Sequence, residues 1–193
     1  MPIKLLSSGG GSVIVNATST GSNFTVNVPA VNGNIVTTAD TGTITQAMLG
    51  SGVGAGYGPS FSVYQSSAQT INNGAWTKIN LQTKNWDTSS CFDATTNYRF
   101  TPNVAGYYMV NGRVGLTAAT SYSTIDIYKN GGGWQRGSEI NASHYGAHIN
   151  SIVYLNGSTD YIELYFYQNS GASKTVDSQN EITYFNGFLM RAA

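Results

Sequence analysis

The chain has 193 residues, nine basic against nine acidic, and only 9% of them charged, far below the ~25% of an average soluble domain. That balance excludes a charged disordered tail and a nucleic-acid binder, because phosphate backbones are held by clustered Lys and Arg. No apolar run approaches the ~20 residues of a membrane-spanning helix, so no membrane insertion is expected.

Gly, Ser, Thr and Asn replace the missing charges, and a net charge of zero leaves little repulsion to oppose self-association. Cys91 is the sole cysteine, which rules out an intrachain disulfide and a Cys-based zinc site. Its expected role is a buried structural thiol. The opening MPIKLLSSGGGS has no long apolar segment, so a cleaved secretory signal is not expected.

From the N-terminus, SVIVNA (Ser12–Ala17) and NFTVNV (Asn23–Val28) alternate apolar and polar residues, the period-two mark of strands. TSTGS between them is a turn cluster, so a hairpin is predicted there, with Pro29 closing its second strand. GTITQAML fits a strand end or one helical turn. SGVGAGYGP (Ser51–Pro59), with four Gly in nine residues, reads as a flexible joint. A lone hairpin is marginal in water, so residues 1–58 are expected to dock on something else. Residues 59–193 form the second predicted unit.

From Phe61 on, short aromatic runs recur: FSVYQS, WTKINLQT, YRFTP, GYYMVNGRVGL, STIDIYKN, INSIVYLN, YIELYFYQN and ITYFNGFLMR. Asn73-Gly74, Asn130-Gly131 and Asn156-Gly157 suit tight hairpins, because Asn-Gly tolerates positive φ. Asn111-Gly112 lies inside an aromatic run and marks either a turn or a bulge. No ten-residue segment shows helical periodicity. About eight strands with short turns predict an all-β, two-sheet sandwich of jelly-roll type.

FDATTNYRFTPNVAGYYMVNGRV (Phe92–Val114) shows how such strands turn a corner. Tyr98 and Phe100, two apart, are expected to share a sheet face. Pro102 closes that strand, Gly106 lets the backbone return, and Tyr108 and Val110 alternate down the next strand. The rings fill the space between the sheets.

Phe92-Asp93 followed by Phe100, Pro102, Gly106 and Tyr108 resembles the signature of the complement-component-1q-type globular head, one of the tumour-necrosis-factor-like jelly rolls. Asn97 and Val110 stand where that family usually has Gly and an aromatic. YFNGFLM resembles its last strand and YLNGSTDYIELYFY its penultimate hairpin; the resemblance implies that Phe188 joins Phe92, Phe100, Pro102, Gly106 and Tyr108 in the core signature. This likeness spans roughly residues 60–193. Across its whole length the chain resembles phage virion fibre and tail proteins, through NIVTTADTGTITQAML, VYQSSAQT and NYRFTPNVAGYY. The resemblance implies a homotrimer at the virion surface, whose N-terminal segment docks on other virion proteins of capsid or tail and whose head projects outward. The alternatives are a dedicated host-binding adhesin at a fibre tip and, more remotely, a glycan hydrolase.

Candidate chemistry is sparse. Glycosidases need two carboxyl groups ~5–9.5 Å apart in a cleft, and spacing singles out no such pair. Asp126, between Ile125 and Ile127, is expected to face solvent or a cleft between protomers. No catalytic residue and no cofactor is assigned. His144 and His148 read as polar surface residues, with a metal ion shared near a three-fold axis as the sharper alternative. GGGWQRG (Gly131–Gly137) reads as a glycine-rich turn presenting Trp134 and Arg136, which suit stacking on a host glycan or burial at a subunit boundary. Tyr122, Tyr145, Trp86 and Asn141 are weaker candidates for the same surface.

Overall fold

A computed structural model describes residues 3–6, 9–10, 12–15, 58–141 and 143–193. The chain divides into two compact units, Met1–Thr43 and Ile44–Ala193. In the first unit, β1 (Ile3–Leu6) pairs antiparallel with β2 (Ser12–Val15), in register Ile3 to Val15. The predicted hairpin pairs Ser12–Ala17 with Asn23–Val28, whose structure lies outside the described residues. The partner of the SVIV run is IKLL, and Gly10, at φ +85°, lies in the connection. Asn23–Val28, GTITQAML and most of the glycine-rich joint lie outside the described residues.

The second unit is all-β among its described residues. Its strands are β3 (Ser60–Tyr64), β4 (Thr70–Ile71), β5 (Thr77–Lys78), β6 (Thr83–Asp87), β7 (Phe92–Asp93), β8 (Arg99–Phe100), β9 (Ala105–Thr120), β10 (Ser123–Lys129), β11 (Gly132–Ile140), β12 (His144–Asn156), β13 (Ile162–Gln168), β14 (Lys174–Thr175) and β15 (Tyr184–Ala192). Sheet one runs β12-β9-β15-β3-β6. Sheet two runs β11-β10-β13-β8-β7, with β5 also on β13; β4 and β14 form a small pair. Every pairing is antiparallel. This is the expected jelly-roll sandwich.

Alternation supplies the core. Tyr108, Val110 and Val114 of β9, Ile149, Val153 and Leu155 of β12, and Phe61, Val63 and Phe185 face inward from sheet one. Ile125, Ile127, Ile162, Leu164, Phe166 and Phe100 meet them from sheet two. Phe61 is the hub, its ring 4.4 Å from Phe100, 5.1 Å from Phe185 and 5.3 Å from Phe92. Burying each such side chain contributes ~1.5–3 kcal/mol. The Cys91 thiol is buried beside this cluster.

The Phe92–Val114 corner is built on one carboxylate. Asp93 accepts hydrogen bonds from the backbone N–H groups of Thr95 (3.0 Å), Thr96 (2.9 Å) and Asn97 (3.1 Å), and from Asn97 Nδ2 (2.8 Å). The bonds from Thr96, Thr95 and Asn97 hold its carboxyl well below the usual range. The turn they fix places Tyr98 at φ +50°, outside the strand. Tyr98 therefore does not continue the face of Phe100, contrary to its two-residue spacing; Phe92 pairs with Phe100 instead. Pro102 is buried. Tyr108 is fully buried and its hydroxyl donates to Val104 O at 2.7 Å, tying the new strand to the corner. A Cβ on Gly106 would run into the backbone of Arg191, which is why the second residue of the return strand is glycine.

Three further expectations are corrected. Asn111-Gly112 is neither turn nor bulge: both ladders of β9 run through it without a shift. Gly112 is there for space, since an added Cβ would stand 3.0 Å from Leu164 and 3.2 Å from Phe185. GGGWQRG is not a glycine turn but the start of β11. The turn is Asn130-Gly131 alone, with φ +53° and +81°. Phe188, expected in the core, is 51% exposed. Period two sends Phe185 and Gly187 inward, so Phe188 must point the other way.

Candidate functional site

The outward face of sheet one presents a regular ladder. In register across β12, β9 and β15 lie Ile152–Met109–Phe188, then Asn150–Asn111–Asn186, then His148–Arg113–Tyr184. Tyr154 stands opposite Tyr107 at the other end, their rings 5.5 Å apart. Ile152, Phe188 and Met190 are each about half exposed, and Tyr107 and Tyr154 slightly less. The outward face is thus apolar at one end, over Ile152, Met109, Phe188 and the two tyrosines, and polar at the other, through the Asn row and the His148–Arg113 row; the apolar end is a patch that a partner surface would cover. Asn186 adds a polar atom in the same condition: its Oδ1 is buried and has no hydrogen-bond partner.

The outward face of sheet two is built differently. Thr124, Asp126 and Tyr128 of β10 face out beside Tyr167, Tyr165 and Glu163 of β13 in register. Trp76 lies over them, 5.5 Å from Tyr167 and 6.0 Å from Tyr128, and Tyr128 stacks on Tyr165 at 3.8 Å. Charges are interleaved with the rings. Lys78 pairs with Glu163 at 3.0 Å, and Arg136 Nε approaches Asp126 Oδ2 at 3.9 Å while its Nη1 contacts Glu139 at 3.2 Å. The Arg136 guanidinium also lies 5.3 Å from the centre of the Trp76 ring. Trp76, Tyr122, Thr124, Arg136 and Tyr167 line a shallow depression of about 200 Å³.

Asp126 corrects its expectation. It does point away from the core, but the surrounding side chains leave it only 5% exposed. Burial pushes its carboxyl above the ordinary aspartate range, against the pull of Arg136. Its Oδ1 and the Thr124 hydroxyl are both buried without a hydrogen-bond partner.

The residues singled out in sequence do not form one surface. Arg136 and Tyr122 border the depression on sheet two. His148 is exposed on sheet one, where its row pairs it with Arg113. Tyr145, 61% exposed, is near the start of β12, and Trp134 stands beside the Lys129 ammonium at 5.3 Å. His144 and His148 share β12, but the ladder slips between His144 and Gly146. Among the described residues no three His, Cys, Asp or Glu side chains come together as a metal site. Trp76, Thr124, Tyr165 and Tyr167 were missed. Their signal was present: in STIDIYK and YIELYFYQ one face is aliphatic and Phe-rich while the other carries Tyr, Thr and carboxylates.

No known protein family and no curated protein matches the sequence. Solved structures do match the fold. Murine APRIL superposes with a TM-score of 0.53 at 10% identity, over 67% of this chain and 96% of its own. The Eiger TNF of S. frugiperda gives 0.51 at 10%, over 70% of this chain and 95% of its own. Vertex protein P5 of PRD1 gives 0.50 at 14%, over 69% of this chain and 97% of its own. The second unit is a jelly roll similar in fold to murine APRIL, the Eiger TNF and the PRD1 vertex protein.

Proposed function

We propose that the chain is a structural protein of a phage particle, a trimeric fibre or decoration whose jelly-roll head projects from the virion surface. One observation carries the trimer: the free face of sheet one holds an exposed apolar ladder at one end, Ile152, Met109 and Phe188 with Tyr107, Tyr154 and Met190. Copies of the chain packed around an axis would bury that ladder, and the absence of net charge sets no barrier to it. The virion setting is supported by the fold shared with the PRD1 vertex protein and by the phage-like sequence of the N-terminal segment. That segment, residues 1–58, is the proposed anchor to capsid or tail, leaving residues 59–193 as the exposed head.

The test is particle incorporation. The intact chain should co-purify with virions and be labelled at their periphery by antibody. A chain starting at Gly58 should still assemble but be absent from particles. Its presence on particles would refute the anchor, and failure to find the intact chain there would refute the virion role.

A further inference from the structure

We infer that the depression on the outer face of sheet two, bordered by Trp76, Tyr122, Tyr167, Thr124 and Arg136, binds a neutral sugar of a glycan chain. The site lies within one protomer, so it does not depend on the trimer or on the virion role.

Three features single it out. The first is an aromatic shelf. Trp76 and Tyr167 stand 5.5 Å apart and Tyr122 follows 6.0 Å from Tyr167, giving a row of rings that the C–H face of a pyranose can cover. The second is a pair of buried polar atoms with nothing to bond. Thr124 is 1% exposed and lines the depression, and its Oγ1 has no partner. Asp126, two residues along the same face, is 5% exposed, with Oδ1 also unpartnered. Buried polar groups are almost always satisfied, and a pair left open on one face calls for a donor from outside. The third is the nearby guanidinium of Arg136, 3.9 Å from the Asp126 carboxylate. Acceptor and donor side by side match a sugar hydroxyl or a vicinal diol, each O–H of which both donates and accepts.

Charge narrows the class. Arg136 is already shared by Asp126 and Glu139, and Lys78 is held by Glu163. Three carboxylates against two cations disfavour a sialic acid, a uronic acid or a phosphate. A proline-rich peptide would also stack on the rings, but it offers chiefly carbonyl acceptors and would leave the carboxylate unmet.

The experiment is an array of neutral and acidic glycans probed with the intact chain. The tightest neutral ligand is then titrated by NMR against Trp76→Phe, Thr124→Val, Asp126→Asn and Trp134→Ala. Sedimentation and thermal unfolding of each variant check the fold. Binding confined to neutral glycans, weakened about tenfold by Asp126→Asn, reduced by Thr124→Val and unchanged by Trp134→Ala supports the site. Binding to no neutral glycan, a preference for acidic glycans or for a proline-rich peptide, or affinity that survives both Thr124→Val and Asp126→Asn overturns it.

Discussion

The two outer faces of the sandwich are carried by different pairs of strands, β9 and β12 on sheet one and β10 and β13 on sheet two, and they solve opposite problems. On sheet one the apolar end of the outward face is Ile152, Met109, Phe188 and Met190 with Tyr107 and Tyr154, beyond which lie the Asn150–Asn111–Asn186 and His148–Arg113–Tyr184 rows. On sheet two they are Tyr128, Tyr165, Tyr167 and Trp76, interleaved with Lys78, Glu163, Asp126 and Arg136. Aliphatic surface in register gains only by exclusion from water, so its natural complement is another protein face. Ring surface threaded with paired charges tolerates water and offers directional bonds, so it suits a wet, reversible ligand. On the function proposed above, a single sandwich would separate assembly from recognition by giving each its own sheet.

The largest effect should come from placing a charge in the ladder of sheet one. Phe188→Asp or Ile152→Asp should dissociate the assembly to protomers without unfolding them, because both side chains point away from the core. The matched change on sheet two, Tyr128→Ser, should leave sedimentation unchanged. Equal behaviour of the two faces would break the comparison.

Next in size is a change where the sheets meet at their edges. Gly137 of β11 has Ile125 and Ile149 each 2.7 Å from where a Cβ would stand. Gly137→Ala should cost about 1–3 kcal/mol by overpacking, read as a lowered midpoint in denaturant. Tyr108→Phe comes after it, with about 1 kcal/mol lost with the hydrogen bond to Val104.

The smallest effect sharpens the assignment of sheet two. The folded Asp126 carboxyl titrates above the ordinary value of 3.8. Its contribution to stability is therefore fullest below that value and is lost as pH rises through the folded pKa. Asp126→Asn should remove that decline and leave neutral-pH stability no lower than in the parent, although it replaces a charged acceptor oxygen of the proposed site by an amide donor. Thermal unfolding across this pH range checks it. Asp93 runs the opposite way. Held charged by the N–H groups of Thr96 and Thr95, it stabilises above the ordinary aspartate range and loses that contribution as acid protonates it. Asp93→Asn should blunt the acid sensitivity of unfolding.

How much of this was legible in the sequence differs by feature. The sandwich is readable because short aromatic runs recur with turn signals between them, because STIDIYK and YIELYFYQ follow period two, and because Asn130-Gly131 is a turn by its own chemistry. What alternation cannot reveal is which neighbour a strand receives. SVIV pairs with IKLL, a run too short to stand out in the sequence. Trp134 drew attention as an exposed ring, whereas the half-buried Trp76 escaped it. Its importance arises only when the β13 register, pairing Tyr165 with Lys78 and Phe166 with Thr77, brings it beside Tyr167 and Tyr128. Phe188 was assigned inward from its motif, although its odd spacing from Phe185 already sends it outward.

The central claim is that sheet one is covered by sister copies of the chain. Sedimentation equilibrium of the intact protein measures this directly. The account predicts a single species of three protomers, each of 20.5 kDa, that falls to one protomer in Phe188→Asp. A stable monomer of the parent chain, or a Phe188→Asp variant that keeps its mass, would contradict it.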